Sequence, residues 1–182
     1  MKAFLYRHSK TLFDVFLLLG VMVVFFYRWI FQEPYGLFTS DVIQDFATNH
    51  FIAFAFQKGN FPLWDPYYYG DIIGYLNSGV FYPFNLLTNF IYSFFITDFD
   101  FGYLLMKYNA FFHFFLGSVF MYLLIRSFKL SRLPALTASI MFAYSGYMVK
   151  EYVHIQYLQG AIWLPLIFFL FIVLLILTRI VF

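Results

Sequence analysis

Two aspartates, Asp41 and Asp45, stand one helical turn apart in the first long polar stretch of this 182-residue chain. Carboxylates at that spacing share one helix face. There one of them can take a proton from an attacking hydroxyl, or the two can hold a divalent cation near a phosphate. Gln44 lies on the same face, and Thr48 and Asn49 continue the stripe to i+7 and i+8. Plainer assignments stay open. Asp41 with Gln44 three residues on also fits a capping box, in which the carboxylate only receives backbone N–H groups, and Asp45 also fits a solvated helix face. A second group, Lys150, Glu151 and His154, offers an ammonium and an imidazole for a phosphate at headgroup level, or simple interfacial anchoring. Glu151 and His154 share a face if the helix before them runs on.

His113 and Asn109 read as an interhelical hydrogen-bonding pair. Asp14 and Lys107 lie near helix ends, where pairing or snorkelling accounts for them. No Cys/His ligand spacing, phosphate-loop glycine pattern or serine elbow occurs. No residue is assigned to a metal, and a divalent metal as cofactor is left open by a carboxylate pair that fits either case.

The elements that must position these residues follow from composition. At 63% hydrophobic and 11% charged, the chain carries more apolar surface than a water-soluble domain of its size hides, and the excess faces lipid. The net charge of +2 gives no basic character for nucleic acid. Without cysteine there is no disulfide or thiolate site. Thirty Phe are read as lipid-facing filler in place of Leu.

The expected fold is all-α, a polytopic integral membrane protein forming a single transmembrane domain over residues 1–182. Four spans, each near the 20 residues a bilayer core needs, are expected at about 11–31, 102–128, 133–149 and 158–177. An extracytoplasmic loop covers 32–101. Within it Asp41 to Phe56 reads as a helix lying along the membrane surface. Its apolar face holds Ile43, Phe46, Ala47, Ala53 and Phe54, and Lys58-Gly59-Asn60 stops it. Val80 to Thr97 is apolar but interrupted by Pro83, Asn85 and Asn89. If it spanned, Arg126, Lys129 and Arg132 would face outward, against the positive-inside rule, so it reads as interfacial or re-entrant. The inner segments then hold seven bases and no acid, and the outer side four bases and eight acids. The N-terminus is inside and the large loop outside.

The order of the polar islands resembles the N-terminal part of the bacterial YfhO-type membrane proteins, which are similar to glycosyltransferases of the GT-C fold. The islands are Ser40-Asp41 with Gln44, Pro62 to Tyr67, Tyr82 to Leu86, Met121 to Leu124, Phe142 to Tyr147, His154, and Trp163 to Leu166. The chain departs from that pattern at Ser40, at Trp64-Asp65 and at Gly70 to Ile73. The resemblance implies a bacterial cell-membrane enzyme that transfers a sugar from a polyprenyl-phosphate carrier to a cell-envelope polymer or lipid, outside the cell and among membrane lipids. It implies that Asp41 is the general base, with Gln44, Asp45, Trp64, Lys150, Glu151 and His154 around the substrates. Trp64 and Tyr67 to Tyr69 would stack on sugar faces. It also implies that the chain is the front of a longer protein and has little activity alone. From the residues alone, a transporter or flippase subunit and a non-catalytic membrane scaffold are the competing classes.

Overall fold

A computed structural model of the chain describes residues 2–33, 35, 40–61, 63, 79 and 81–181, and the described residues contain helices, turns and coil but no strand. The helices in chain order are α1 (Lys2–Phe25), followed by a π-helical turn at Arg28–Gln32, α2 (Ser40–Gln57), α3 (Pro83–Ser93) and α4 (Phe99–Ser127). They continue with α5 (Arg132–Ala143), α6 (Gly146–Lys150), a 3-10 turn at Glu151–Val153, α7 (Ile155–Ala161) and α8 (Trp163–Val181).

Their ends have local causes. Pro83 opens α3, and Pro134 and Pro165 fall in the first turns of α5 and α8, where a missing N–H costs nothing. Asp98 Oδ1 accepts the Phe101 amide at 2.9 Å and starts α4. Gly59, at φ 71°, ends α2, its amide on Phe56 O and the Asn60 amide on Ala55 O. That pair of bonds needs a left-handed residue, which glycine adopts without steric cost, and it meets the expected stop at Lys58-Gly59-Asn60.

Two helical stretches, Phe99–Ser127 and Ile155–Thr178, are long and apolar enough to cross a membrane. The second span was expected at 102–128 and matches α4. The third differs. The apolar run 133–149 is divided at Tyr144-Ser145, where Ser145 turns extended and its hydroxyl accepts the Met148 amide to begin α6. The 12-residue α5 is only about 18 Å long.

The chain divides into two units. The first comprises Met1–Gln32, Phe111–Tyr152 and Tyr157–Phe182. In it the fully buried Asp14 of α1 receives the Tyr122 hydroxyl of α4 at 2.5 Å. Arg132, at the start of α5, donates to Asp14 through Nε at 3.0 and 3.1 Å and pairs with it through Nη2. Leu18, Tyr122 and Ala135 form the apolar core beside this cluster. About 18 Å farther along the first helical segment, Phe26 stacks on Phe111 at 4.2 Å and meets Phe114 edge-on at 4.9 Å, and Phe25 packs on Tyr144 at 4.7 Å. Asp14 in mid-α1, Tyr122 late in α4 and Arg132 at the start of α5 thus meet at one level, and Phe25 and Phe26 at the end of α1, Phe111 and Phe114 in mid-α4 and Tyr144 after α5 meet at another. The three segments alternate in direction.

The second unit comprises Glu33–Ala110 and Val153–Gln156. Here α2 and α3 pack side by side and share an asparagine network. Asn89 donates to Asn49 Oδ1 at 2.8 Å, Asn49 to Asp45 O at 2.7 Å, Asn109 to Asn85 Oδ1 at 2.9 Å, and Asn85 to Gly79 O at 2.9 Å. The Tyr92 hydroxyl and His50 Nδ1 lie 3.0 Å apart, and burial pushes the Tyr92 phenol up to about 12. Asn109 is therefore interhelical, as expected. The expected orientation of α2 needs correction. Thr48 is buried and Asn49 half-buried, so the rear of the polar stripe turns inward against α3 rather than to water. Ala53, expected on the apolar face that lies along the membrane, is buried with Tyr92 and Ile96.

The α3–α4 packing depends on Gly102. A Cβ there would lie 2.2 Å from Tyr92 Cζ, and that ring is buried and held by His50. Helix propensity alone favours alanine at such a site by about 1 kcal/mol. The collision reverses the sign, and Gly102→Ala is expected to cost about 1–3 kcal/mol in thermal unfolding in detergent. Unchanged or raised stability would mean that Tyr92 yields freely.

Candidate functional site

Asp41 lies in the first turn of α2, inside the helix that begins at Ser40. It is exposed. It is thus not the cap of its helix, which removes the capping-box alternative. Gln44 is exposed beside it. Asp45, one turn on, is half-buried, which removes the solvated-face alternative. Burial pushes its carboxyl up to about 6, His154 pulls it back, and the Asp41 carboxylate adds to the rise. His154 therefore belongs with the two aspartates in the second unit.

The rest of the expected constellation is distributed differently. The helix before Glu151 does not run on. α6 ends at Lys150 and a 3-10 turn takes over, so Glu151 and His154 do not share a helix face. Lys150 and Glu151 fall in the first unit, where the exposed Lys150 Nζ lies 4.0 Å from Oε1 of the mostly buried Glu151. An ion pair with one member so exposed is worth little. Trp64 and Tyr67 to Tyr69 lie outside the described residues.

Lys107 stands deeper in the protein than its place in the sequence implied. Of the two expectations for it, pairing or snorkelling near a helix end, burial removes snorkelling: the side chain is fully buried, its ammonium 5.0 Å from the Tyr108 ring centroid. A lysine inside an apolar helical run is itself a signal of function or pairing, and that signal was present in the sequence. Tyr35 is a second addition. Its hydroxyl is hydrogen-bonded to Asp100, which raises the phenol, and its ring stacks on Tyr103 at 5.5 Å.

No family model, curated protein or solved structure matches this chain. Among the described residues, no three His, Asp or Glu side chains gather closely enough to hold a metal ion. The exposed Asp41 carboxylate, the exposed Gln44 carboxamide and the desolvated Asp45 carboxyl share the first two turns of α2, and the His154 imidazole acts on Asp45 electrostatically. Two carboxyls in unlike environments are the usual means of dividing acid and base roles.

The raised Asp45 has a consequence for stability. The unfolded chain loses this proton near 3.8 and the folded chain near 6. Between those values the folded state binds more protons, so stability falls as pH rises and levels off above about 6. Asp45→Asn is expected to remove that fall, roughly 1–3 kcal/mol after solvent screening. Melting curves of both proteins from pH 4 to 7 test this, and parallel profiles would contradict it.

Proposed function

We propose that the chain belongs to a membrane glycosyltransferase that works at the extracytoplasmic face, moving a sugar from a polyprenyl-phosphate carrier to a hydroxyl of an envelope polymer or lipid. The observation that supports this most is the pairing of exposed Asp41 with desolvated Asp45 one turn on, within electrostatic reach of His154. The resemblance of the polar islands to the YfhO-type proteins supplies the reaction class.

In this reading Asp41 takes the proton of the acceptor hydroxyl as its oxygen attacks the anomeric carbon. The bond from that carbon to the carrier phosphate breaks, the phosphate leaves with the electron pair, and the configuration inverts. Gln44 and Asp45 orient the sugar. With a carboxyl near 6, Asp45 is protonated part of the time and can then donate to a sugar or phosphate oxygen. His154 steadies the departing phosphate.

The topology belongs to the same proposal. The basic N-terminus and the turn holding Arg126, Lys129 and Arg132 are cytoplasmic, and α1, α4, the broken α5–α6 segment and α7–α8 make four crossings. The levels of the Asp14–Arg132 pair and the Phe26–Phe111 stack support alternating crossings for the first three.

The test uses right-side-out membrane vesicles with and without the protein, supplied with polyprenyl-phosphoryl hexose bearing a labelled sugar. Label is expected in the envelope polymer or lipid fraction only where the protein is present, and Asp41→Asn should remove it. Equal labelling in vesicles lacking the protein overturns the proposal.

A further inference from the structure

Helix α3 is built inside-out. Asn85, Asn89, Tyr92 and Ser93, at i, i+4, i+7 and i+8, form one face, and all are buried at 2–5% exposure. Leu87, Phe90, Ile91 and Phe94, at i, i+3, i+4 and i+7, form the other, exposed by 55, 51, 37 and 68%. Phe95 follows at 53%. A helix on a water-facing surface shows the reverse pattern, with apolar residues inward and polar residues outward.

The inward face is chemically occupied. Asn89 bonds to Asn49, Asn85 to Asn109 and the Gly79 carbonyl, Tyr92 to His50, and the Ser93 hydroxyl donates back to Phe90 O at 2.6 Å. Rotating α3 to bring its apolar face inward would break every interhelical bond in that set, so the apolar face has no route to the interior.

We infer that the outward face of α3 is seated in lipid hydrocarbon, with the α2–α3 pair held at the membrane boundary as a wedge of half-bilayer depth. Three observations select lipid over a protein partner. The segment 83–97 holds no ionisable Asp, Glu, Lys, Arg or His, and its charges begin only at Asp98 and Asp100. The outward residues are bulky Leu, Ile and Phe, whereas helix partners within membranes meet through small or polar residues. At 11 residues, about 16 Å, α3 is too short to cross a core of about 30 Å and reaches no deeper than one leaflet. This inference rests on the membrane reading above.

The absence of cysteine makes the test direct. Phe90→Cys and Phe94→Cys carry a nitroxide in the full chain, reconstituted in phosphatidylethanolamine–phosphatidylglycerol vesicles. Phe171→Cys on exposed α8 and Lys58→Cys after α2 are the lipid and water references. Collision with oxygen against a water-soluble nickel chelate is measured for each. Positions 90 and 94 are expected to match 171, with an oxygen-to-nickel ratio several-fold above that at 58. If 90 and 94 match 58 while 171 reads lipid, the inference falls and the membrane reading stands. If 171 also reads water, both fall. Labels at 90 and 94 that are immobilised and reached by neither reagent reveal a protein cover, which also overturns lipid as the occupant.

Discussion

Arg132→Ala is expected to lower stability by about 3–5 kcal/mol. Most of that cost arises at Asp14, whose side chain is 1% exposed and would lose the guanidinium that balances it. The Tyr122 hydroxyl remains, but one neutral donor does not offset a buried carboxylate. Arg132→Lys should recover only part of the loss, because two of the bonds run from Nε and the pairing depends on a planar fork. A double variant, Asp14→Leu with Arg132→Leu, should be more stable than Arg132→Ala, since no charge is then stranded. Thermal unfolding in detergent, with the double-mutant comparison, measures all of these. An Arg132→Ala protein melting within a degree of the parent would show that the cluster is hydrated and not a structural tie.

Asp41→Asn is expected to reduce sugar transfer by roughly 100- to 10,000-fold, the usual contribution of a positioned general base. The substitution keeps size and hydrogen-bonding capacity but cannot accept a proton. Expression and membrane insertion should be unaffected, because Asp41 is exposed. Donor binding should persist as well, so the loss belongs in turnover and not in KM. Asp45→Asn should act differently, raising KM more than it lowers turnover, if its role is to orient the sugar. Unchanged transfer by Asp41→Asn would remove Asp41 from the chemistry. A larger loss at Asp45 than at Asp41 would exchange their roles.

Much of the fold was legible because local signals and hydropathy agreed. Gly59 marked the end of α2 by its left-handed requirement, and the long apolar run marked α4 to within a few residues. The break at Tyr144-Ser145 was missed because hydropathy reports average environment and not continuity. The signal was Ser145 itself, a helix-starting residue within an apolar stretch. The inward turn of Thr48 and Asn49 was missed for another reason. Periodicity names the face a residue occupies but not whether a second polar face, here that of α3, waits to meet it. At the site, the Asp41–Asp45 spacing was legible and the difference between their environments was not, because burial of Asp45 is set by tertiary packing. The Glu151–His154 pairing failed with the helix that was to carry it.

The looseness of the α7–α8 stretch carries a mechanical consequence. Only 11% of the most apolar window in Ile155–Thr178 is buried within the protein, against 44% for α4. The α7–α8 stretch, 24 residues from Ile155 to Thr178, extends about 36 Å, several ångströms beyond the ordinary thickness of a bilayer core. With few neighbours to fix its inclination, this rod can lean or straighten as the surrounding leaflets thin or thicken. The bundle of the first three segments, tied by Asp14 at one end and Phe26 at the other, has no such freedom. Changes in acyl-chain length should therefore be absorbed by the α7–α8 stretch.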